Sequence, residues 1–348
     1  MKRPGKSGAS PLGSNKAGLR EVEKILDKLE IEPSGNLEVR DPEAVNVAAL
    51  QIQLKPYASL AEYVVDMNLY IADAVNRRAQ IAVLPAFAGM LPLSAAPQAS
   101  ALVQKLIPPD GANEDSLLDI NGLNDLLSHL SDYAFDTYFH TFSSLAARHG
   151  IYIMAGSTLY FEGAELCHRA FLFSDEGGLA GYQDKIGESP LEQGLQISPE
   201  SEVKLFETPF APVSILIASD AYYYECARIA KNLGAKILLC PNAFIDEYTP
   251  VDSSLGANMR AQENKIYAVQ SSLVGDTGLG FSMEGGGRVF VPNALLGHKN
   301  GVAAKTSGRH EPDIVCVPLN LDKLDEITDP YNSSLNQDFM QKYVDRLY

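Results

Sequence analysis

Cys167, Cys226, Cys240 and Cys316, together with six histidines (His129, His140, His149, His168, His298 and His310), are the side chains best equipped for nucleophilic or metal chemistry. The cysteines stand far apart with no CxxC pair, and the histidines lack metal-ligand spacing. That pattern points to reduced thiols, argues against a zinc site and leaves no cofactor expected. Cys226 falls inside an expected helix and reads as a packed small hydrophobe, while Cys240 ends an expected strand and reads as core. Gly285 to Gly287 lack phosphate-cradle spacing and a following helix, so they read as a tight turn.

Acidic residues number 44 against 28 basic ones in 348, a formal charge of −16. A chain this negative is a poor partner for phosphate backbones or anionic lipid, which excludes nucleic acid and a membrane surface as expected partners. No apolar stretch reaches the roughly 20 residues that cross a bilayer. The basic start is not followed by a hydrophobic segment, so a cytoplasmic location is expected.

The elements that must position any site follow from periodicity. Residues 1–18 read as a flexible basic arm and residues 19–44 as a short amphipathic helix plus linker, with Leu19, Val22, Ile25, Leu26 and Leu29 at helical spacing. From about residue 45 strands and helices alternate. Residues 45–54 predict a buried strand. Residues 59–78 predict a helix, with Ser59 and Glu62 at capping-box spacing, and residues 80–85 predict a second strand. Residues 91–130 lack clear periodicity and are expected to be a long loop or insertion. Strands are expected at 151–158, 169–174, 212–219 and 235–241, with a helix over 222–233 ended by Gly234 and later strands at 265–274, 288–292 and 312–318. The polar, aromatic tail 321–348 is expected to contact a partner subunit.

Several separated segments then resemble one family. AALQIQL and AQIAVLPAFAG, GLAGYQDKIGESPLEQG, ILIASDAYYYECARIAKNLGAKILLCPNAF, RAQENKIYAVQSSLVG and GGGRVFVP fall in the order seen in the nitrilase superfamily, the carbon–nitrogen hydrolases. The resemblance covers about residues 45–320. It implies an α/β fold, a four-layer αββα sandwich, paired into a homodimer or higher homo-oligomer. It also implies hydrolysis of nitriles or amides by a glutamate base, a lysine that stabilises the oxyanion and a cysteine nucleophile.

On that resemblance Lys185 is the family lysine and Glu192 its supporting glutamate. The base position holds Ala86 and the nucleophile position Ala218, so both are vacant. Ser219 adjoins the vacancy, but neighbouring residues leaving a strand diverge, and no base for it is apparent. Lys185, Ser219, Tyr222 and Glu225 are the expected ligand contacts. Asp220 is expected to brace the turn, and Arg260, Glu263 and Asn264 to pack beneath the site. With position 86 empty, Glu192 is expected to balance Lys185 alone, which favours a small carboxylate or amide-like ligand.

The leading expectation is therefore a catalytically inactive homologue with a binding or regulatory role. The alternatives are an active amidase or nitrilase with a displaced nucleophile, and an oligomeric scaffold with a closed pocket.

Overall fold

The computed structural model describes residues 16–29, 31, 44–96, 99, 120–245, 254–276, 282–297, 300–327, 338, 341 and 342. Its pattern is set by strand β1 (Ala44–Gln53), which is apolar on both faces. Side chains alternate across a strand. Val45, Val47 and Ala49 therefore enter one cluster, and Ala48, Leu50 and Ile52 enter another. A strand buried on both faces belongs between layers.

β1 pairs in parallel with β2 (Ile81–Val83), and β2 with β3 (Tyr152–Glu162). β3, β4 (Glu165–Phe173) and β5 (Leu179–Asp184) continue antiparallel, joined by tight turns. In the other half β6 (Val213–Ile215), β7 (Ile237–Ile245) and β8 (Tyr267–Asp276) run parallel. β9 (Ser282–Glu284) pairs with β7 and β8, while β10 (Arg288–Phe290) pairs with β8 and with β11 (Val302–Lys305). β12 (Asp313–Asn320) lies antiparallel to β1, with Val47 opposite Val317.

The cluster holding Val45, Val47 and Ala49 also takes Met154, Leu172, Val213, Ile215, Ile237, Leu239 and Val269, so it is the seam between two sheet halves. Outside one half lie α1 (Lys16–Leu26), α2 (Leu60–Asn76) and α3 (Ile120–His149), packed on Ala48, Leu50 and Ile153. Outside the other, Leu238, Cys240 and Ala268 meet α5 (Tyr224–Leu233) and α6 (Met259–Asn264). These are the four layers of an αββα sandwich. A short α4 (Pro190–Leu195) follows β5. No described helix is long and apolar enough to cross a membrane.

α2 starts as its capping spacing predicts: Ser59 Oγ accepts from the Glu62 N–H, and a Glu62 carboxylate oxygen accepts from the Ala58 N–H at 2.8 Å. The N-terminal helix begins at Lys16, earlier than expected, and closes in a 3₁₀ turn over Asp27–Leu29. The expected arm over residues 1–15, the core of the insertion (97, 98 and 100–119) and most of the tail lie outside the described residues.

Two expectations are corrected. Residues 91–130 are not one loop, because Ala88–Ala95 forms a 3₁₀ segment and α3 begins at Ile120. α3 is buried or half-buried on every side over Ala134–Ala146, where its apolar residues form no single stripe, while its first half exposes Asn121, Asp125, Ser128, His129 and Asp132. The strand expected over 212–219 ends at Ile215, and Ala218–Tyr222 is a 3₁₀ turn.

Candidate functional site

Three chain segments converge at one end of the sandwich. The first leaves β2 through Pro85, Ala86 and Phe87. Phe87 has a left-handed backbone (φ 60°), its N–H donates to Ser157 Oγ at 3.1 Å, and its ring stacks on His168 at 4.7 Å. Gly156 lets the segment approach: a Cβ there would stand 2.0 Å from the Pro85 carbonyl oxygen. Ala86 is fully buried and does not line the cavity described below.

The second segment carries Lys185 off the end of β5. Four residues later Ser189 caps α4, accepting from the Glu192 N–H while Glu192 Oε2 accepts from the Ser189 N–H at 2.7 Å. This reciprocal cap fixes the glutamate. Its other oxygen lies 2.6 Å from His168 Nδ1, and His168 Nε2 lies 2.7 Å from Ser157 Oγ. Burial opposes ionisation of Glu192. The hydrogen bond and charge of His168, the charge of Lys185 and the Ser189 N–H outweigh it, and the carboxyl falls to about 2.

The third segment is the turn after β6. Ala218 has φ 48°, a left-handed conformation that costs a residue with a Cβ on the order of 1 kcal/mol. Beside it Ser219 Oγ accepts from Lys185 Nζ at 2.6 Å. The Asp220 carboxylate accepts from the Gly187 N–H at 2.7 Å, the Ile186 N–H at 3.2 Å and Lys185 Nζ at 3.2 Å. Burial raises the Asp220 carboxyl against the opposing pull of Lys185 and the two N–H groups.

These segments line a cavity of about 780 Å³. Lys185, Glu192, His168, Ala218, Ser219, Tyr222 and Asn242 stand on its wall beside leucines, methionines and phenylalanines. Glu225, an expected contact, is half-buried in the first turn of α5 and does not line it. Cys226 and Cys240 are off the wall too, and burial pushes both thiols up to about 12. Arg260, on α6, donates to the Tyr222 carbonyl at 3.3 Å from below. Among the described residues no group of three or more His, Cys, Asp or Glu side chains is placed to hold a metal ion.

The expected divergence of Ser219 from its neighbour does not occur. The strand has ended, so its alternation no longer applies, and the turn sets Ala218 and Ser219 on the same wall. Nor does Glu192 balance Lys185 alone. Its Oε2 is 3.7 Å from Nζ, whereas Asp220 is nearer and the Gly187 carbonyl accepts at 2.7 Å. His168 and Ser157, which join this network, carry no spacing signal. The β3–β4 register sets Ser157 opposite Ala170, so His168, two residues earlier on β4, is its diagonal neighbour on the same face.

A family model described as carbon–nitrogen hydrolase matches residues 46–329. The chain belongs to the carbon–nitrogen hydrolase family. Among curated relatives, "Probable hydrolase YhcX" of Bacillus subtilis is 24% identical over 275 residues, covering 78% of this chain and 49% of the relative. "Omega-amidase NIT2" of Danio rerio is 27% identical over 158 residues, covering 43% of this chain and 57% of that one. The matched part thus spans about half the length of these two relatives. A solved structure of a double mutant of the amidase from Nesterenkonia sp. AN1, in complex with acrylamide, aligns with a TM-score of 0.61 at 20% identity. It covers 88% of this chain and 99% of that one, a likeness of fold. The α/β fold is that of these carbon–nitrogen hydrolases.

Proposed function

We propose that this chain is a non-hydrolytic carbon–nitrogen hydrolase homologue that binds an amide-like ligand in the Lys185 cavity without cleaving it. The observation that carries the reading is the Ala218 methyl. It stands on the cavity wall, on a strained turn, next to the Lys185–Ser219 hydrogen bond, where a nucleophile would have to be. A methyl can neither attack carbon nor carry a proton. Loss of a nucleophile of this kind typically costs about 10⁶-fold. Ala86, at the expected base position, adds no proton acceptor.

An amide suits the site better than the carboxylate that was the other expectation. Lys185 already faces two carboxyl groups, so little positive charge is left for an anion. The acrylamide bound by the Nesterenkonia amidase and the omega-amidase name of the Danio relative point the same way. An open cavity, with Tyr222 on its wall and Tyr223 and Tyr224 exposed, supports binding over a closed-pocket scaffold.

One contact favours a second reading, in which Ser219 is a displaced nucleophile: its hydroxyl touches Lys185. An ammonium donates hydrogen bonds and has no lone pair to take the hydroxyl proton, so the contact supplies no base. Ammonia release from a panel of primary amides separates the two. The proposal expects none above the protein-free rate. Saturable release that Ser219→Ala abolishes establishes the second reading instead.

A further inference from the structure

We infer that His168 is the positioning residue of the cavity: one imidazole, with its proton on Nδ1, fixes the Phe87 segment of the wall against Glu192 and Lys185. The inference goes beyond the binding reading above and stands whether or not the cavity cleaves what it holds.

One residue touches both segments. Glu192 Oε1 lies 2.6 Å from His168 Nδ1, Ser157 Oγ lies 2.7 Å from Nε2, and the Phe87 ring is stacked on the imidazole at 4.7 Å. The His168 carbonyl also accepts from the Lys185 N–H at 2.9 Å, so the lysine leaves β5 beside the same residue. His168 is buried yet lines the cavity, as do Phe87, Lys185 and Glu192. The next residue, Arg169, turns to the other face of β4, where it pairs with Asp184 and Glu162. The charges facing the imidazole are therefore Glu192, then Lys185 at 3.7 Å from that carboxylate, then Asp220 beyond the lysine.

The partners decide which nitrogen carries the proton. Glu192 is held ionised, and a carboxylate oxygen only accepts. A proton on Nε2 alone would set the Nδ1 lone pair against that oxygen at 2.6 Å. Nδ1–H therefore donates to Glu192. Ser157 Oγ accepts from the Phe87 N–H at 3.1 Å and gives its own proton to Nε2. Every bond then runs one way, from the Phe87 amide through Ser157 and His168 to Glu192, and bonds in such a chain strengthen one another. An irregularity in β3 brings Ser157 there: the register with β4 shifts between Met154 and Ser157, at Gly156 with φ 75°.

Serine, histidine and glutamate in this order are also the parts of an activated nucleophile. Ser157 is fully buried and off the cavity wall, so its hydroxyl links two segments and meets no ligand.

NMR of the full chain labelled with ¹⁵N and ¹³C tests the inference. At about pH 8, where an imidazole ordinarily holds one proton, the His168 ring is expected to show a protonated Nδ1 and a bare Nε2. His168→Phe keeps the stack on Phe87 and removes both nitrogens. At about pH 4 the Glu192 carboxyl is expected to be ionised in the wild type and partly protonated in His168→Phe. His168→Asn, whose side-chain amide can still donate, should restore part of the ionisation. Exchange of the Phe87 amide proton should quicken by about tenfold in Ser157→Ala, and also in His168→Phe, which leaves Ser157 in place. In the wild type, which needs no variant to fold, a proton on Nε2 overturns the inference. So does Glu192 titrating alike in wild type and His168→Phe, or a Phe87 amide that exchanges alike in both.

Discussion

Lys185 Nζ and Asp220 Oδ1 lie 3.2 Å apart with almost no solvent on either side chain. The ion pair joins the loop after β5 to the turn after β6, the two segments that form the polar end of the cavity. Removing one partner of a buried pair strands the other charge, at about 3–5 kcal/mol. Lys185→Met is therefore expected to lower the urea midpoint of unfolding sharply, because Asp220 and Glu192 lose their shared cation. Adding Asp220→Asn should return part of the loss, a coupling in the range of about 0.5–3 kcal/mol. Additive losses in the double variant would mean that the two residues do not act as a pair.

Glu192 sets an acid limit on stability. Its carboxyl titrates near 4.5 in an ordinary environment and at about 2 in the fold. A depressed carboxyl contributes stability that is complete above the unfolded value and drains away as pH falls towards the folded one. Wild-type stability should thus decline between about pH 5 and pH 2 by more than it does in Glu192→Gln, which forfeits the contribution at neutral pH. Urea denaturation across that window checks this, and parallel slopes for the two proteins would refute it.

Position 218 offers a chemical probe. A thiol introduced by Ala218→Cys would stand on the cavity wall, whereas Cys226 and Cys240 are buried with thiols pushed up to about 12. Thiolate is the reactive form. Iodoacetamide is expected to add one more label to the variant than to the wild type, located by peptide mass spectrometry. Amide turnover should stay absent, since Ala86 still provides no base. Labelling of Cys226 or Cys240 at the rate of position 218 would contradict the placement.

Much of this was legible from the chain alone. Double-sided apolar runs such as residues 45–52 announce strands between layers, and Ser59 with Glu62 announces the start of α2. The order of the matched blocks brought Lys185, Glu192, Ala218 and Ser219 to one place, and the structure sets all four on one wall. Other features were hidden for physical reasons. Over Ala134–Ala146 α3 is buried or half-buried on every side, which erases the amphipathic stripe that would reveal that half. Where β6 stops, alternation stops too, so the side on which Ser219 falls could not be read from its neighbour. His168 and Asp220 join Lys185 through contacts between residues 17 and 35 positions away, which local spacing does not encode. Ser189-Pro-Leu-Glu192 did hold a capping box, and that signal alone would have fixed the glutamate at the start of a helix.

The central claim is that the cavity holds an amide and leaves its carbon–nitrogen bond intact. The most direct measurement is a ¹³C NMR time course of carbonyl-labelled octanamide with a stoichiometric amount of the protein. The expected result is a carbonyl resonance shifted or broadened by binding, with no labelled octanoate growing in. Growth of the octanoate signal in step with ammonia, lost on Ser219→Ala, would show that the site breaks the bond it was thought to spare.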